Sequence, residues 1–533
     1  MDPKSLEAEI REILRLYQIG QADLGLKKSK VVHRSAPQLA ITNYCVGHGF
    51  AALKDPATAI GYFLKAVELA PKNGEYLVKL GLTYLDLGDV SAAQASFSKA
   101  QKINPNLVNG QWALGIFYAS IDRFDEAAKL FKNVIAASST GNVPAGAFLD
   151  WCRALVGSGQ LDEAKKILRE LLNRPETRPK ALASLADIEP FPLDSTEYLQ
   201  IDQETANRTL SDGVKGTLLT AKARCLGAAK AYEEEFRCLA ASKTARGSIF
   251  KPAEFETRIS EIIRMFDAGA LDRARRVFGL SNFKPIFVVG LPRSGTTLTE
   301  RILARHGEVG GAGELSVISL FLGGCLGNNR HDQLIEMIEK RSATEIRTLV
   351  KRVEETMRYL CPGKERIVDK MPDNFLHIGW ILALFPEARI VHCYRNPADN
   401  FLSGFKASLS SSHSYFDKPE WFSFYYRQYV RLMRYWYGLL PGRIHSLRYE
   451  DLVTYPEKTI RGLLAHCDLP WQEACLEPEQ NPSRIQTASV LQARAPINTK
   501  SVGGWKRYSF QLQPVQDELG DMMPILEPSS GSE

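Results

Sequence analysis

At 533 residues the chain is too long for a single core and predicts two or three domains. Its composition, 44% hydrophobic and 24% charged, is that of a globular protein, and a net charge of +6 spread along the chain gives no nucleic-acid footprint. Nine scattered cysteines without a CxxC pair argue against a disulfide scaffold or a zinc site and for reduced thiols in a cytoplasmic setting. Met1 to Arg15 lacks the apolar core of a secretory signal, and no run reaches the ~18 apolar residues of a membrane-spanning helix.

Residues 1–36 read as one amphipathic capping helix with a solvated basic stretch at Lys27, Lys28 and Lys30. A period of 34 follows. Ala59, Phe63, Ala66 and Pro71 recur as Ala93, Phe97, Ala100 and Pro105, and again as Ala127, Phe131, Val134 and Ser139. A second register runs ahead of each set: Gly47 with Phe50, Gly81 with Tyr84, Gly115 with Tyr118. Small residues let paired helices approach, aromatics fill the gaps, and Pro71 and Pro105 end the second helix of a unit. The pattern resembles tetratricopeptide repeats, placed here over 37–176, with a degenerate fourth unit after an insertion near Gly141, where Cys152 replaces the usual glycine. Residues 177–280 predict further repeat-like hairpins, interrupted at Glu189-Pro190-Phe191-Pro192 and resumed from Gly216 to Lys243. Such an array offers a surface for an acceptor substrate or a protein partner, and it admits a homodimer.

Residues 281–515 change character. Four strand candidates, Pro285–Val289, Arg366–Asp369, Ala388–Tyr394 and Arg443–Tyr449, alternate with helical stretches, which implies a parallel, doubly wound sheet with ligands at the strand C-termini. The first strand runs into Gly290-Leu291-Pro292-Arg293-Ser294-Gly295-Thr296-Thr297 and then a helix. That turn aims backbone N–H groups and a helix N-terminus at one spot, a ready site for a phosphate. The Gly-x4-Gly spacing matches a nucleotide P-loop, but Thr296 stands where a P-loop needs Lys, and the loop's cation is Arg293, a planar fork suited to an oxyanion. Polar residues gather after the other strands: Asp369, Lys370, Asp373 and Asn374; Arg395, with Ser403 about two helical turns on; Tyr449, Glu450 and Asp451. Arg395 and Ser403 fall on one helix face and suit a second anion, as in a bisphosphate nucleotide. The expected fold class is α plus α/β: an all-α repeat solenoid, then a P-loop-like domain around a central parallel sheet, then a tail over 516–533.

The ordered set Pro292 to Thr297, Gly313-Glu314, Asp369-Lys370-Met371-Pro372, Phe385-Pro386, Arg395 with Ser403, Arg448 to Leu452 and Ser501 to Trp505 resembles the sulfotransferases that use 3'-phosphoadenosine 5'-phosphosulfate. The nearest type is the tetratricopeptide-bearing bacterial branch related to the tyrosylprotein sulfotransferases. The resemblance implies that Arg293, Ser294, Gly295, Thr296 and Thr297 cradle the 5'-phosphosulfate and that Arg395 and Ser403 hold the 3'-phosphate. It implies that Tyr449 lines the nucleotide site and that Lys500 to Lys506 close over it, with Ser501, Trp505 and Lys506 in contact. Lys370 would sit by the leaving oxygen, with Glu314 as general base and Arg293 also catalytic. No metal is implied. Many small-molecule sulfotransferases use a His base, and His306 and His392 are the candidates here, though both read more naturally as structural. The acceptor stays open among peptide tyrosine, saccharide, lipid and small phenol. The alternatives are an ATP-dependent P-loop kinase and a non-enzymatic repeat scaffold with a vestigial nucleotide domain.

Overall fold

The structure, a computed structural model, describes residues 3–522 apart from 54, 122, 138–144, 208, 268, 270, 273–280, 316–317, 319–342, 408 and 482–495. Two compact units divide the chain, one holding Met1–Ser158 and the other Gly159–Ser319 with Cys325–Glu533.

The first unit is a stack of helices paired along the chain: Ala40–Ala52 with Pro56–Leu69, Gly74–Asp86 with Val90–Ile103, Val108–Ser120 with Phe124–Ala137. The 34-residue period marks its core, since Ala59, Phe63, Ala66, Ala93, Phe97, Ala100, Ala127, Phe131 and Val134 are all fully buried. The glycine register has a direct cause. Each unit sets a glycine on its first helix against the phenylalanine sixteen residues later on its second. A Cβ at Gly81 would lie 2.6 Å from the Phe97 ring, one at Gly115 2.6 Å from Phe131, and one at Gly47 3.0 Å from Phe63. Asp55 and Asp89, also one period apart, cap their helices by accepting from the Thr58 and Ala92 N–H groups at 3.0 Å. The single helix expected over 1–36 is corrected to two, Pro3–Gln18 and Ala22–Ser35, parted where Gly20 takes φ +79°. Ser139 and the insertion near Gly141 lie outside the described residues.

The glycine–phenylalanine contact makes a prediction of opposite signs. Gly115→Ala overpacks Phe131 and lowers stability by about 1–3 kcal/mol. Gly61→Ala, on an exposed helix position with nothing within 4 Å of the new Cβ, raises it by up to about 1 kcal/mol. Thermal unfolding of the two variants checks both, and destabilisation by Gly61→Ala or a neutral Gly115→Ala would contradict the packing account.

The second unit opens with helices Leu161–Leu171, Arg178–Ile188 and Thr196–Ala206, then the hairpin Asp212–Ala228 and Tyr232–Arg246, then Pro252–Met265. A five-stranded parallel sheet follows: β1 Ile286–Gly290, β2 Val309–Gly311, β3 Arg366–Asp369, β4 Arg389–Tyr394 and β5 Ile444–Arg448, in the order β2-β3-β1-β4-β5. Alternation along the strands builds the two faces. Ile286, Val288, Val391 and Cys393 join Ile302, Leu303, Leu452 and Ile460 in one core, while Phe287 leans on Phe385 from the other side. β1 sits between β3 and β4, so the chain reverses its direction of sheet growth there, and a crevice opens beyond the strand ends. β2 adds a fifth strand to the four expected. The segment Gly310 to Gly313 reads as a turn in sequence, but Gly310 and Gly311 pair with Ile367 and Val368 of β3. A Cβ at Gly310 would come 2.5 Å from the Cys361 Cβ, so the edge strand keeps glycine to lie close to its neighbour. The sequence from Leu315 to Leu322 reads as a helix, but most of it lies outside the described residues, and Leu315 itself is not helical. Among the described residues no helix is long and apolar enough to cross a membrane.

Candidate active site

The crevice begins where β1 ends. Gly290 takes φ +149° with a virtual Cβ 2.1 Å from the Cys393 carbonyl, so β1 turns away against the β4 backbone. The loop carries Arg293 at φ +70°, a costly conformation for a non-glycine residue. Gly295, at φ +99°, starts the helix Thr296–Leu303, and its bare Cα admits the Tyr449 ring. The loop therefore presents a helix N-terminus and a strained arginine together.

These residues wall a cavity of about 440 Å³, a volume typical of small-molecule sites. Of the residues predicted to bind the nucleotide, Arg293, Gly295, Thr296, Thr297, Arg395, Ser403, Tyr449 and Ser501 line it. Ser294, Trp505 and Lys506 are not among the lining residues. The Ser294 side chain is buried beside Gly290, and the Trp505 N–H serves to hold the backbone. Asn498, Ile497 and Lys500 line the cavity as well.

Arg293 donates from Nε to Ser403 Oγ at 3.0 Å. Arg395 reaches the Arg293 carbonyl at 3.5 Å, donates to the Ser501 carbonyl, and stacks its guanidinium 4.6 Å from the Tyr449 ring centre. Tyr449 in turn meets Ser501 Oγ at 2.8 Å. The i+4 pairing of Arg395 with Asp399 is present only at 4.0 Å. Asp399 is instead committed elsewhere: its two oxygens accept the N–H groups of Gly503 at 2.6 Å and Trp505 at 2.9 Å. It thereby pins the segment 501–505 over the cavity.

Burial, and then the neighbouring Arg395 charge, push Arg293 down from 12.5 to about 10. It remains charged at neutral pH. A base whose pKa is lowered in the fold destabilises the fold while charged; that cost is present below about pH 10 and fades as pH rises toward 12.5. An anion between the two arginines removes the cost. Arg395 Nε is buried without a partner. The cavity therefore carries cationic and unused donor groups that fit a phosphorylated nucleotide.

Glu314 and Lys370 are not among the residues that line the cavity, and they meet each other, with Lys370 Nζ donating to Glu314 Oε1 at 2.5 Å. Lys370 is 1% exposed and the Glu314 side chain 37%, so the carboxylate is the accessible member. The backbone around Glu314 is fixed on both sides. The Gly313 N–H donates to Glu300 at 2.8 Å, the Leu315 N–H to Asp369 at 3.3 Å, and the Lys370 N–H to the Gly313 carbonyl at 2.9 Å. Burial raises the carboxyl pKa of Glu300, and raises that of Asp369 well above the usual range. Glu300 was invisible as a site residue in sequence. Its one signal is its place four residues after Thr296, on the helix face that carries the buried Thr299 and Leu303.

The histidine candidates separate cleanly. His306 is buried with Nε2 on the Pro470 carbonyl at 3.0 Å and Nδ1 accepting from the Glu308 N–H at 3.3 Å. His392 is fully buried between the hydroxyls of Tyr437 and Tyr429, and burial pushes it down to about 3. Both are structural. His413 is the histidine that sequence missed. Its Nε2 meets Asp373 Oδ2 at 3.1 Å. Burial opposes its charged form, yet the hydrogen bond and charge of Asp373, with the charge of Glu314 added, raise its pKa.

Comparison with known proteins finds relatives of both parts of the chain. Residues 285–473 match the sulfotransferase family, and residues 74–107 and 122–188 match tetratricopeptide repeats. The chain thus carries a sulfotransferase-family domain and tetratricopeptide repeats. It is 28% identical over 397 residues to an uncharacterized protein of Aquifex aeolicus, covering 72% of this chain and 51% of that one. It is 24% identical over 243 residues to protein-tyrosine sulfotransferase 1 of Danio rerio, covering 41% and 65%. With the protein-tyrosine sulfotransferase of Drosophila melanogaster it shares 23% over 306 residues, covering 52% and 58%. The chain therefore spans between about half and two thirds of the length of these relatives. Among solved structures, the sulfotransferase domain of the Synechococcus olefin synthase aligns at 18% identity over 46% of this chain and 97% of that one, with a TM-score of 0.35.

Proposed function

We propose that the chain moves a sulfuryl group from 3'-phosphoadenosine 5'-phosphosulfate to an acceptor hydroxyl, of a protein tyrosine, a saccharide or a small molecule. One observation carries this: two guanidinium groups, Arg293 and Arg395, turn into one cavity at a helix N-terminus whose first residue is Thr296, not Lys. Two guanidinium groups beside a helix N-terminus suit a nucleotide that carries more than one phosphate.

The donor, when bound, supplies the sulfuryl group, whose S–O bond to phosphate breaks as a new S–O bond to the acceptor oxygen forms. The chain's own residues position and neutralise. Arg293, with the N-terminal amides of the helix Thr296–Leu303, binds the oxyanions at the reacting end, while Arg395 and Ser403 hold the 3'-phosphate. Lys370 places its ammonium beside the leaving oxygen and meanwhile orients Glu314. Glu314, the accessible carboxylate, accepts the acceptor's hydroxyl proton. Sulfuryl transfer develops less charge than phosphoryl transfer, so these cations suffice and no step requires a metal. The repeat units, working in the cytoplasm, would supply the surface that recruits an acceptor or its protein carrier.

Incubating the chain with sulfur-labelled donor and an extract of the source cells tests the assignment. The expected result is a labelled product that Glu314→Gln forms at least about a hundredfold more slowly. Label that never leaves the donor in any fraction would contradict it.

A further inference from the structure

The donor cavity is closed by a strap, residues 498–508, whose far end is held by a helix outside the matched sulfotransferase segment 285–473. The near end is fastened as described, through Arg395 and Tyr449 to Ser501 and through Asp399 to Gly503 and Trp505. The far end is Tyr508, 3% exposed. Its hydroxyl donates to Glu235 Oε2 at 2.5 Å and accepts from Lys406 Nζ at 2.6 Å. Lys406 also pairs with Glu235 Oε1 at 2.7 Å and lies 4.6 Å from the Tyr508 ring centre, while Tyr232 packs edge-on at 5.2 Å.

Glu235 belongs to the hairpin Asp212–Ala228 and Tyr232–Arg246, and it is 4% exposed. An almost fully buried carboxylate is costly unless paired. The hairpin makes room for it, since a Cβ at Gly227 would lie 2.6 Å from the Glu235 carboxylate. Lys406 is the last residue of the helix Pro397–Lys406, which also carries Asp399 and Ser403. One carboxylate thus ties together the strap and the helix that holds the proposed 3'-phosphate contact.

We propose that Glu235 is a positioning residue for the donor site: by joining Tyr508 to Lys406 it locks the strap 498–508 over the nucleotide. The hairpin 212–246 is then part of the donor site. This rests on the donor-site assignment above. Glu233 supplies an internal control. It lies two residues earlier on the same helix, is exposed, and pairs within that helix with Arg237 at 2.9 Å, not with the strap.

The test is calorimetric titration of the full chain with adenosine 3',5'-bisphosphate, paired with hydrogen exchange at the Gly503 and Trp505 amides. Glu235→Gln and Tyr508→Phe should each weaken binding about tenfold, the scale of one charge-assisted hydrogen bond, and speed exchange at both amides. Glu233→Gln should stay within about twofold of wild type, since its contact lies off the strap and off the helix that carries Lys406. Unchanged affinity and exchange in both strap variants would overturn the lock, and so would an equal loss in Glu233→Gln. Should Glu235→Gln fail to fold, Tyr508→Phe decides, because it removes only a hydroxyl. If the wild type takes up no bisphosphate, the donor-site assignment is what fails, and the exchange measurement then judges the lock alone.

Discussion

Glu314→Gln lowers turnover by about 10²–10⁴-fold and leaves nucleotide affinity nearly unchanged, the range expected when a general base is lost. The substitution keeps the side chain's shape and removes its basicity. Affinity is spared because Glu314 lies outside the cavity lining. The site is also built to survive the change. Glu300 and Asp369 hold the N–H groups on either side of residue 314 through oxygens that the substitution does not touch, so geometry stays while chemistry goes. Lys370 keeps a partner, since a Gln oxygen still accepts its N–H. Single-turnover rates with saturating donor make the comparison free of product release. Turnover above about a tenth of wild type, far short of that range, would move the base elsewhere. His413 would then be the residue to replace, because His306 has both ring nitrogens engaged in structural contacts.

Arg395→Ala weakens the 3',5'-bisphosphate by about 1.5–3 kcal/mol, the value of hydrogen bonds to a charged group, or roughly 10–150-fold. Adenosine 5'-monophosphate loses less, because it lacks the phosphate that Arg395 is assigned to hold. Some loss is expected for both nucleotides: the arginine also fastens Ser501 and stacks on Tyr449, and those contacts shape the cavity for either ligand. The difference between the two losses is therefore the informative quantity. Equal losses would make Arg395 a strap anchor and displace the 3'-phosphate contact.

Much of this was written in short-range pattern. The 34-residue period exposed the repeat core, because each glycine and the phenylalanine sixteen residues later recur together. The strand–turn–helix from Ile286 to Leu303 was legible because its parts are contiguous. What stayed hidden depends on contacts between distant residues. β2 is three residues long and two are glycine, so its pairing with β3 has no hydrophobic signature. Asp399 sits where an i+4 partner of Arg395 should, yet its oxygens go to amides more than a hundred residues away. Glu235 looks like one of three exposed glutamates opening a helix, and only the tertiary fold buries it against Tyr508. His413 became visible only when the loop after Lys406 brought it to Asp373.

The central claim is a metal-independent bisphosphate site, and calorimetry of nucleotide binding addresses it directly. Adenosine 3',5'-bisphosphate should bind the full chain at a single site with magnesium absent, and Arg293→Lys, which trades a planar fork for a point charge, should weaken that binding at least about tenfold. Tight binding of ATP with magnesium, together with no uptake of the bisphosphate, would contradict the account and turn the assignment toward a kinase.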